Sequence, residues 1–401
     1  MEAAEAPAVA SSRPGLGLCG TWMVARGGSK LLAASYKEPS QDYLFMYDCV
    51  TAGKKPQENK REDGKSTGKS SDAILAWAFS SSGTYVALTD DSKRLILFRT
   101  KPSWECLSIS WILSREKHRA FPAFGDEPEN AGTIELGHLS LLLDVALSPD
   151  DQYILTADRD EKIRVSLTRA PHNIVSFCLG HREFVSQIFV IPNYPDLLLS
   201  ASGDCTLRLW EYKSGKEVHC CHLNSLNTCE ATKNEKKYAV SRTAYCCEGN
   251  YIAILYDCIP TVSIFQLDTD AQKLLCKQHI SLSHQGWDIT FEETGGLWIL
   301  QEDKQTPLLL YQPVDEQWQP VTEEKELIKM SKYLRDNWTV FEDSVGKGSC
   351  YQNLYKASFD NMAVYLQKKE ERLQQQKNKR KELQHESNGQ TKKVKTEAPS
   401  L

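Results

Sequence analysis

Seven residues, Gly64-Lys65-Ser66-Thr67-Gly68-Lys69-Ser70, carry the glycines, lysines and hydroxyls that cradle phosphate in nucleotide-binding loops. That chemistry needs a glycine five residues before the glycine of the Gly-Lys pair, where this chain has Asp63 and Asn59. With no strand pattern before it and no helix pattern after it, the run reads as a solvated linker. His219-Cys220-Cys221-His222 gathers four metal-capable side chains. Neighbours on a strand face opposite sides and cannot converge on one ion, so packing is their expected role. His138 and His181 could act as bases, and Ser200 or Ser202 as nucleophiles, but no GxSxG, HExxH or GxGxxG pattern supports catalysis. Two groups suit binding better. Asp158-Arg159-Asp160-Glu161-Lys162-Ile163-Arg164 crowds charge onto a tight turn, with Asp90-Asp91-Ser92-Lys93-Arg94 as a parallel case. Lys368-Lys369, Lys379-Arg380-Lys381 and Lys392, Lys393 and Lys395 form basic clusters suited to phosphate contact or nuclear import.

The elements that must position these residues come from 401 residues, too many for one ordinary core. Formal charge is −5, unevenly spread: residues 366–401 hold ten Lys/Arg and five Asp/Glu, so an acidic body of −10 carries a tail of +5. No apolar run is long enough to span a membrane. Met1-Glu2-Ala3-Ala4-Glu5 lacks a signal pattern, and the thirteen cysteines contain no C-x-x-C. The expectation is a soluble protein of the nucleus, with the cytoplasm as second compartment, and reduced thiols.

Strand patterns punctuated by Gly, Asp, Ser and Pro run from Leu16 to Tyr311, and three stretches repeat one another: 75–98, 143–166 and 185–210. Each reads strand, polar turn, strand, tight turn, strand. Gly137-His138 and Gly180-His181 lie 43 residues apart, and the turn aspartates Asp160 and Asp204 lie 44 apart. That period marks four-stranded propeller blades and resembles the WD-repeat family. The resemblance implies a hydrogen-bonded lock of His181, Ser200 or Ser202, Asp204 and Trp210, and in the preceding blade of His138, Thr156 and Asp160, with Ser166 at the tryptophan position. Further blades are expected around 16–48, 238–267 and 284–311. Residues 101–133 offer an outer strand at Trp104–Ile109 but no turn and strand after it. The predicted fold is therefore an all-β WD-repeat propeller over 16–311, of seven-bladed pattern with one blade truncated around 101–133. Residues 1–15 are expected to be disordered, as is the insertion 51–72. Apolar spacings of three and four predict a helical extension over 312–383, followed by a disordered basic tail over 384–401.

The runs 87–102, 136–166, 177–212 and 354–376 resemble the WD-repeat, non-catalytic subunit of the eukaryotic tRNA guanine-N(7) methyltransferase. The resemblance implies no enzyme activity and no cofactor in this chain. A separate catalytic subunit would bind S-adenosylmethionine and form N(7)-methylguanosine in the tRNA variable loop, while this chain holds that partner and helps position tRNA. Carried onto this sequence, the partner-facing hairpin is Asp158–Arg164, with Arg159, Glu161, Lys162 and Arg164 as binding residues, and the basic tail adds phosphate contacts. The alternative is a propeller adaptor for a ubiquitin ligase or a chromatin or DNA-maintenance complex. Such ligase adaptors usually carry Trp-Asp-x-Arg at a blade end, where this chain has Trp210-Glu211-Tyr212-Lys213.

Overall fold

A computed structural model describes residues 13–37, 43–51, 72–80, 82–111, 117–120, 133–223, 239–356, 362 and 365–378. Most of the 51–72 insertion with its phosphate-loop-like run, and Lys379, Arg380, Lys381, Lys392, Lys393 and Lys395, lie outside the described residues. So does the 384–401 stretch.

Among the described residues, short strands pair antiparallel, in chain order, into six four-stranded sheets. Sheet 1 holds β1 (Gly15–Cys19), β2 (Trp22–Gly27), β3 (Lys30–Ser35) and β4 (Leu44–Asp48). Sheet 2 holds β5 (Ile74–Phe79), β6 (Tyr85–Asp90), β7 (Arg94–Arg99) and β8 (Glu105–Trp111). A two-stranded ribbon of β9 (Lys117–Ala120) and β10 (Thr133–Gly137) follows. Sheet 3 comprises β11 (Leu142–Leu147), β12 (Tyr153–Asp158), β13 (Lys162–Leu167) and β14 (Ala170–Leu179). Sheet 4 comprises β15 (Val185–Val190), β16 (Leu197–Ser202), β17 (Thr206–Glu211) and β18 (Lys216–His222). Sheet 5 is β19 (Val240–Cys246), β20 (Tyr251–Tyr256), β21 (Thr261–Asp268) and β22 (Lys273–Ser281). Sheet 6 is β23 (Gly286–Phe291), β24 (Leu297–Gln301), β25 (Leu308–Val314) and β26 (Gln317–Val321). The first strands of neighbouring sheets lie side by side, β11 by β15, β15 by β19, β19 by β23 and β23 by β1. This is a β-propeller.

Local sequence explains the hairpins. The turn between second and third strands needs one residue in the left-handed region just before the third strand. Lys93, Glu161 and Cys205 fill it at φ 63°, 71° and 61°. In sheets 2 and 3 the last residue of the second strand, Asp90 or Asp158, turns its carboxylate back onto the amide of Arg94 or Lys162.

Five apolar clusters cement neighbouring sheets. Met23 and Leu32 meet Trp298 and Leu310 between sheets 1 and 6, and Val24 and Leu31 meet Val86 and Phe98 between sheets 1 and 2. Leu155 and Ile163 meet Leu198 and Trp210, Leu199 and Leu207 meet Ile252 and Phe265, and Leu255 and Ile264 meet Ile289 and Ile299. Burying such a side chain stabilises by about 1.5–3 kcal/mol. Among the described residues no cluster joins sheets 2 and 3. Strands flanked on both sides are buried throughout, as in Leu197–Ser202 and Leu297–Gln301, whereas Tyr85–Asp90 and Arg94–Arg99 are buried only at alternate residues. In sheet 3, Val145, Leu147, Phe177 and Leu179 are exposed, as are Leu139 and Leu141 just before it. One side of sheet 2 and one side of sheet 3 therefore lack a neighbouring sheet, and the period-two burial of the sheet 2 strands is the mark of a strand packed on one face only.

The truncated blade is thus a seam between two complete sheets, and the interval once expected to hold no strand pair after the outer strand holds the β9–β10 ribbon. The outer strand itself is β8, Glu105–Trp111. Sheet 6 extends past the expected limit at 311, because Trp318 on β26 is buried against sheet 5 while Pro320 sits on an outer edge strand. The helical part begins with α1 (Lys325–Asp336), whose Leu327, Met330, Ser331 and Leu334 are buried at spacings of one helix face. Arg13, within the stretch expected to be disordered, is ion-paired with Asp257. Residues 1–355 and 356–401 form two compact units, and in the second 365–378 are helical with Lys368 and Lys369 exposed.

Candidate partner-docking surface

Sheet 4 carries the complete lock. His181 Nδ1 lies 3.1 Å from Asp204 Oδ2 and its Nε2 lies 2.7 Å from Ser200 Oγ, which also accepts from Trp210 Nε1 at 2.8 Å. The network assigns the proton to Nδ1, so that Ser200 donates to Nε2 and receives the indole N–H. Burial works against the Asp204 charge, but His181, Thr206 and the Arg182 amide outweigh it and hold the carboxyl below its ordinary range. Ser202 is outside this chain and donates to the Glu183 carbonyl.

In sheet 3 the partner of His138 is Asp158, not Asp160. His138 Nδ1 is 3.0 Å from Asp158 Oδ2 and Nε2 is 2.7 Å from Thr156 Oγ1. Asp160 shares the turn position of Asp204 but projects into solvent, whereas Asp158 ends β12 on the buried side. Despite burial, the His138 bond and the Lys162 amide hold Asp158 below the usual carboxylate range. Ser166, at the tryptophan position, is buried and leaves the chain without an indole. Sheet 2 substitutes an ion pair: Arg94 Nε reaches Asp90 Oδ2 at 2.6 Å and its Nη2 reaches Asp72 at 2.8 Å. Both aspartates that sequence reasoning missed share one signal, an acidic residue four before the first residue of the third strand.

Locking Asp158 fixes the hairpin that carries the four residues expected to face a partner. Arg159 and Lys162 are exposed and Glu161 is half-buried. Arg159 is already engaged, donating from Nε to the Leu354 carbonyl at 3.2 Å. Arg164 folds back, with Nη1 3.0 Å from the Gly137 carbonyl at the end of β10, and burial lowers its pKa. The hairpin therefore presents Lys162 outward with Glu161 half-buried beside it, and uses both arginines to hold its flanks.

A charge set on the first strands, with Asp288 buried and Asp144 and Arg242 half-buried, was not legible in the sequence. Asp144 and Asp288 each follow a bulge in a first strand, accept the next residue's amide, and accept an amide from the neighbouring sheet, Ile188 and Leu16 respectively. Arg242 Nε pairs with Asp288 at 3.1 Å. Burial pushes Asp144 up to about 6 and brings Arg26 down to about 9. The signal is an acidic residue at the same offset in two repeats, hidden because no lock motif includes it.

Comparison with known proteins decides the affiliation. Residues 113–308 match the family model described as tRNA methyltransferase TRM82 WD40 domain. The chain is 54% identical to the human tRNA (guanine-N(7)-)-methyltransferase non-catalytic subunit WDR4 over 371 residues, 88% of this chain and 90% of the relative. The Danio rerio protein of the same description is 43% identical, covering 90% and 92%. The Culex quinquefasciatus non-catalytic subunit wuho is 31% identical, covering 80% and 82%. The chain belongs to the family of tRNA (guanine-N(7)-)-methyltransferase non-catalytic subunits.

Family membership fits the chemistry of the surface. The histidines and serine that could have formed a base and nucleophile are engaged in strand locking. His219 to His222 lie along β18, and burial raises the Cys220 thiol and takes Cys221 up to about 11, away from thiolate chemistry. Among the described residues no group of three or more His, Cys, Asp or Glu could hold a metal.

Proposed function

We propose that this chain is the scaffold subunit of a heterodimeric tRNA methyltransferase that forms N(7)-methylguanosine in the tRNA variable loop. It binds and stabilises a catalytic subunit, which supplies the S-adenosylmethionine site, and helps position tRNA; the chain itself carries no cofactor. The observation that carries the reading is the identity to the named non-catalytic subunits across nine-tenths of their length. The charged hairpin of sheet 3 supports a docking role for Glu161 and Lys162, since rim charges set register and on-rate more than raw affinity. Lys368, Lys369 and the basic clusters beyond them suit phosphate contact and import into the nucleus. The ligase-adaptor alternative finds no favouring observation: Trp210 is consumed by the lock and Glu211-Tyr212-Lys213 follows it.

The test is capture of the catalytic subunit with reconstituted tRNA methylation, comparing the native chain with Glu161→Lys/Lys162→Glu. Capture and stimulated guanine-N(7) methylation by the native chain, both lost in the variant, is the expected result. Equal capture by both removes the hairpin from the reading. No capture by either folded chain removes the scaffold role.

A further inference from the structure

Beyond α1 the chain does not leave the propeller. Residues 337–355 run along one rim, meeting the sheets in reverse order. Trp338 stacks on Trp287 of sheet 6 with centroids 5.6 Å apart, and the Gly346 amide donates to Glu302 just past β24 at 2.6 Å. Cys350 Sγ lies 4.0 Å from Asp257 just past β20, in sheet 5. Phe184, entering sheet 4, is gripped by two tyrosines: Tyr351 stacks on it at 5.5 Å and 16°, and Tyr355 meets it edge-on at 5.0 Å. Phe184 is itself fully buried and pressed against Gly203, where an added Cβ would come within 2.5 Å of the ring. Between the two tyrosines the Leu354 carbonyl receives the Arg159 guanidinium.

We infer that this C-terminal strap is the clamp that holds the sheet 3 hairpin in its docking position, with Tyr351, Phe184 and Arg159 as positioning residues; the inference rests on the docking role proposed for Glu161 and Lys162. The physical need is local. Sheet 3 packs on sheet 4, but Val145, Leu147, Phe177 and Leu179 on its other side are exposed, so its hairpin lacks the second neighbouring sheet that steadies the hairpins of sheets 1, 4, 5 and 6. A strap anchored on sheets 4, 5 and 6 supplies that restraint. Ordering the hairpin before the partner arrives removes an ordering cost from binding.

The experiment uses the full chain, with amide hydrogen exchange at Arg159 and Lys162 and affinity for the catalytic subunit as readouts. These amides are bonded to the Leu141 carbonyl and the Asp158 carboxylate, so both report hairpin opening. Arg159→Ala and Tyr351→Ala are each expected to speed their exchange roughly tenfold. Tyr351→Phe, which keeps the stack, is expected to exchange and bind as the native chain does. The double variant should be no worse than the worse single one, because both cut the same link. Unchanged exchange in Arg159→Ala, an exposed position where the fold is not at risk, overturns the inference even if Tyr351→Ala fails to fold. Native affinity in a folded Tyr351→Ala chain whose exchange is accelerated also overturns it. Glu161→Lys/Lys162→Glu separates the two readings: if that variant binds normally the docking role fails, while exchange still decides whether the strap holds the hairpin.

Discussion

Ser200 serves two neighbours at once, giving a proton to His181 and taking one from Trp210. Ser200→Ala strands a buried indole N–H and a buried imidazole nitrogen, and should lower stability by about 2–4 kcal/mol, read by urea denaturation. The aspartate assignment in sheet 3 has an equally direct check. Asp158→Ala should destabilise by about 2 kcal/mol or more, while Asp160→Ala on the solvent side should stay within about 0.5 kcal/mol. The carboxylates of the locks and of the first strands also differ in pH dependence. Asp158 and Asp204 are held below their unfolded values, so what they contribute is present at neutral pH and lost as pH falls through the acid range. Asp144 is raised to about 6 from 3.8, so the folded state binds the extra proton between those values and stability falls as pH rises through that window. Asp144→Asn should flatten the stability profile between about pH 4 and 6, measured by denaturation at stepped pH.

At the scale of elements, a sheet in this ring is worth what its two faces bury. Sheets 4, 5 and 6 bury both faces of their second strands, sheet 2 buries one face of its second and third strands, and sheet 3 leaves Val145, Leu147, Phe177 and Leu179 of its first and last strands exposed. Substitutions in sheet 3 should therefore divide by face. Leu155→Ala or Ile163→Ala, pointing into the cluster shared with sheet 4, should cost about 2–5 kcal/mol. Val145→Ser or Leu147→Ser, on the exposed face, should cost less than about 1 kcal/mol and reduce binding of a hydrophobic dye. Equal costs on the two faces would show that the seam is covered. Helix α1 belongs with the two-sided group, since Met330 and Leu334 complete the cluster between sheets 1 and 6. Met330→Ala should cost about 2–4 kcal/mol and loosen the start of the strap.

For the whole molecule, the interruption sits at one place and the reinforcement runs along the opposite arc. Five sheet interfaces and a strap from sheet 6 to sheet 3 hold the ring, and exchange protection should be lowest in sheets 2 and 3 and highest in sheets 4 and 5. Much of this was readable from residue spacing alone. A 43-residue recurrence of Gly-His, alternating strands and tight turns are local facts, and they determined the propeller and the irregularity after residue 100, while the lock of sheet 4 came from the resemblance to WD repeats. The family resemblance pointed to the hairpin by motif. What tertiary structure decided is which atoms meet. Asp158 and Asp160 are two residues apart, the turn position matching Asp204 pointed to Asp160, and only the direction of β12 puts Asp158 inside instead. Asp144, Asp288 and Arg242 are far apart in sequence and share a network only because first strands gather side by side. Arg159 reads as a free rim charge until the chain returns almost two hundred residues later to offer it the Leu354 carbonyl. Periodicity records what each strand does with its own neighbours, whereas contacts between distant segments depend on closure of the ring, and no local pattern encodes them.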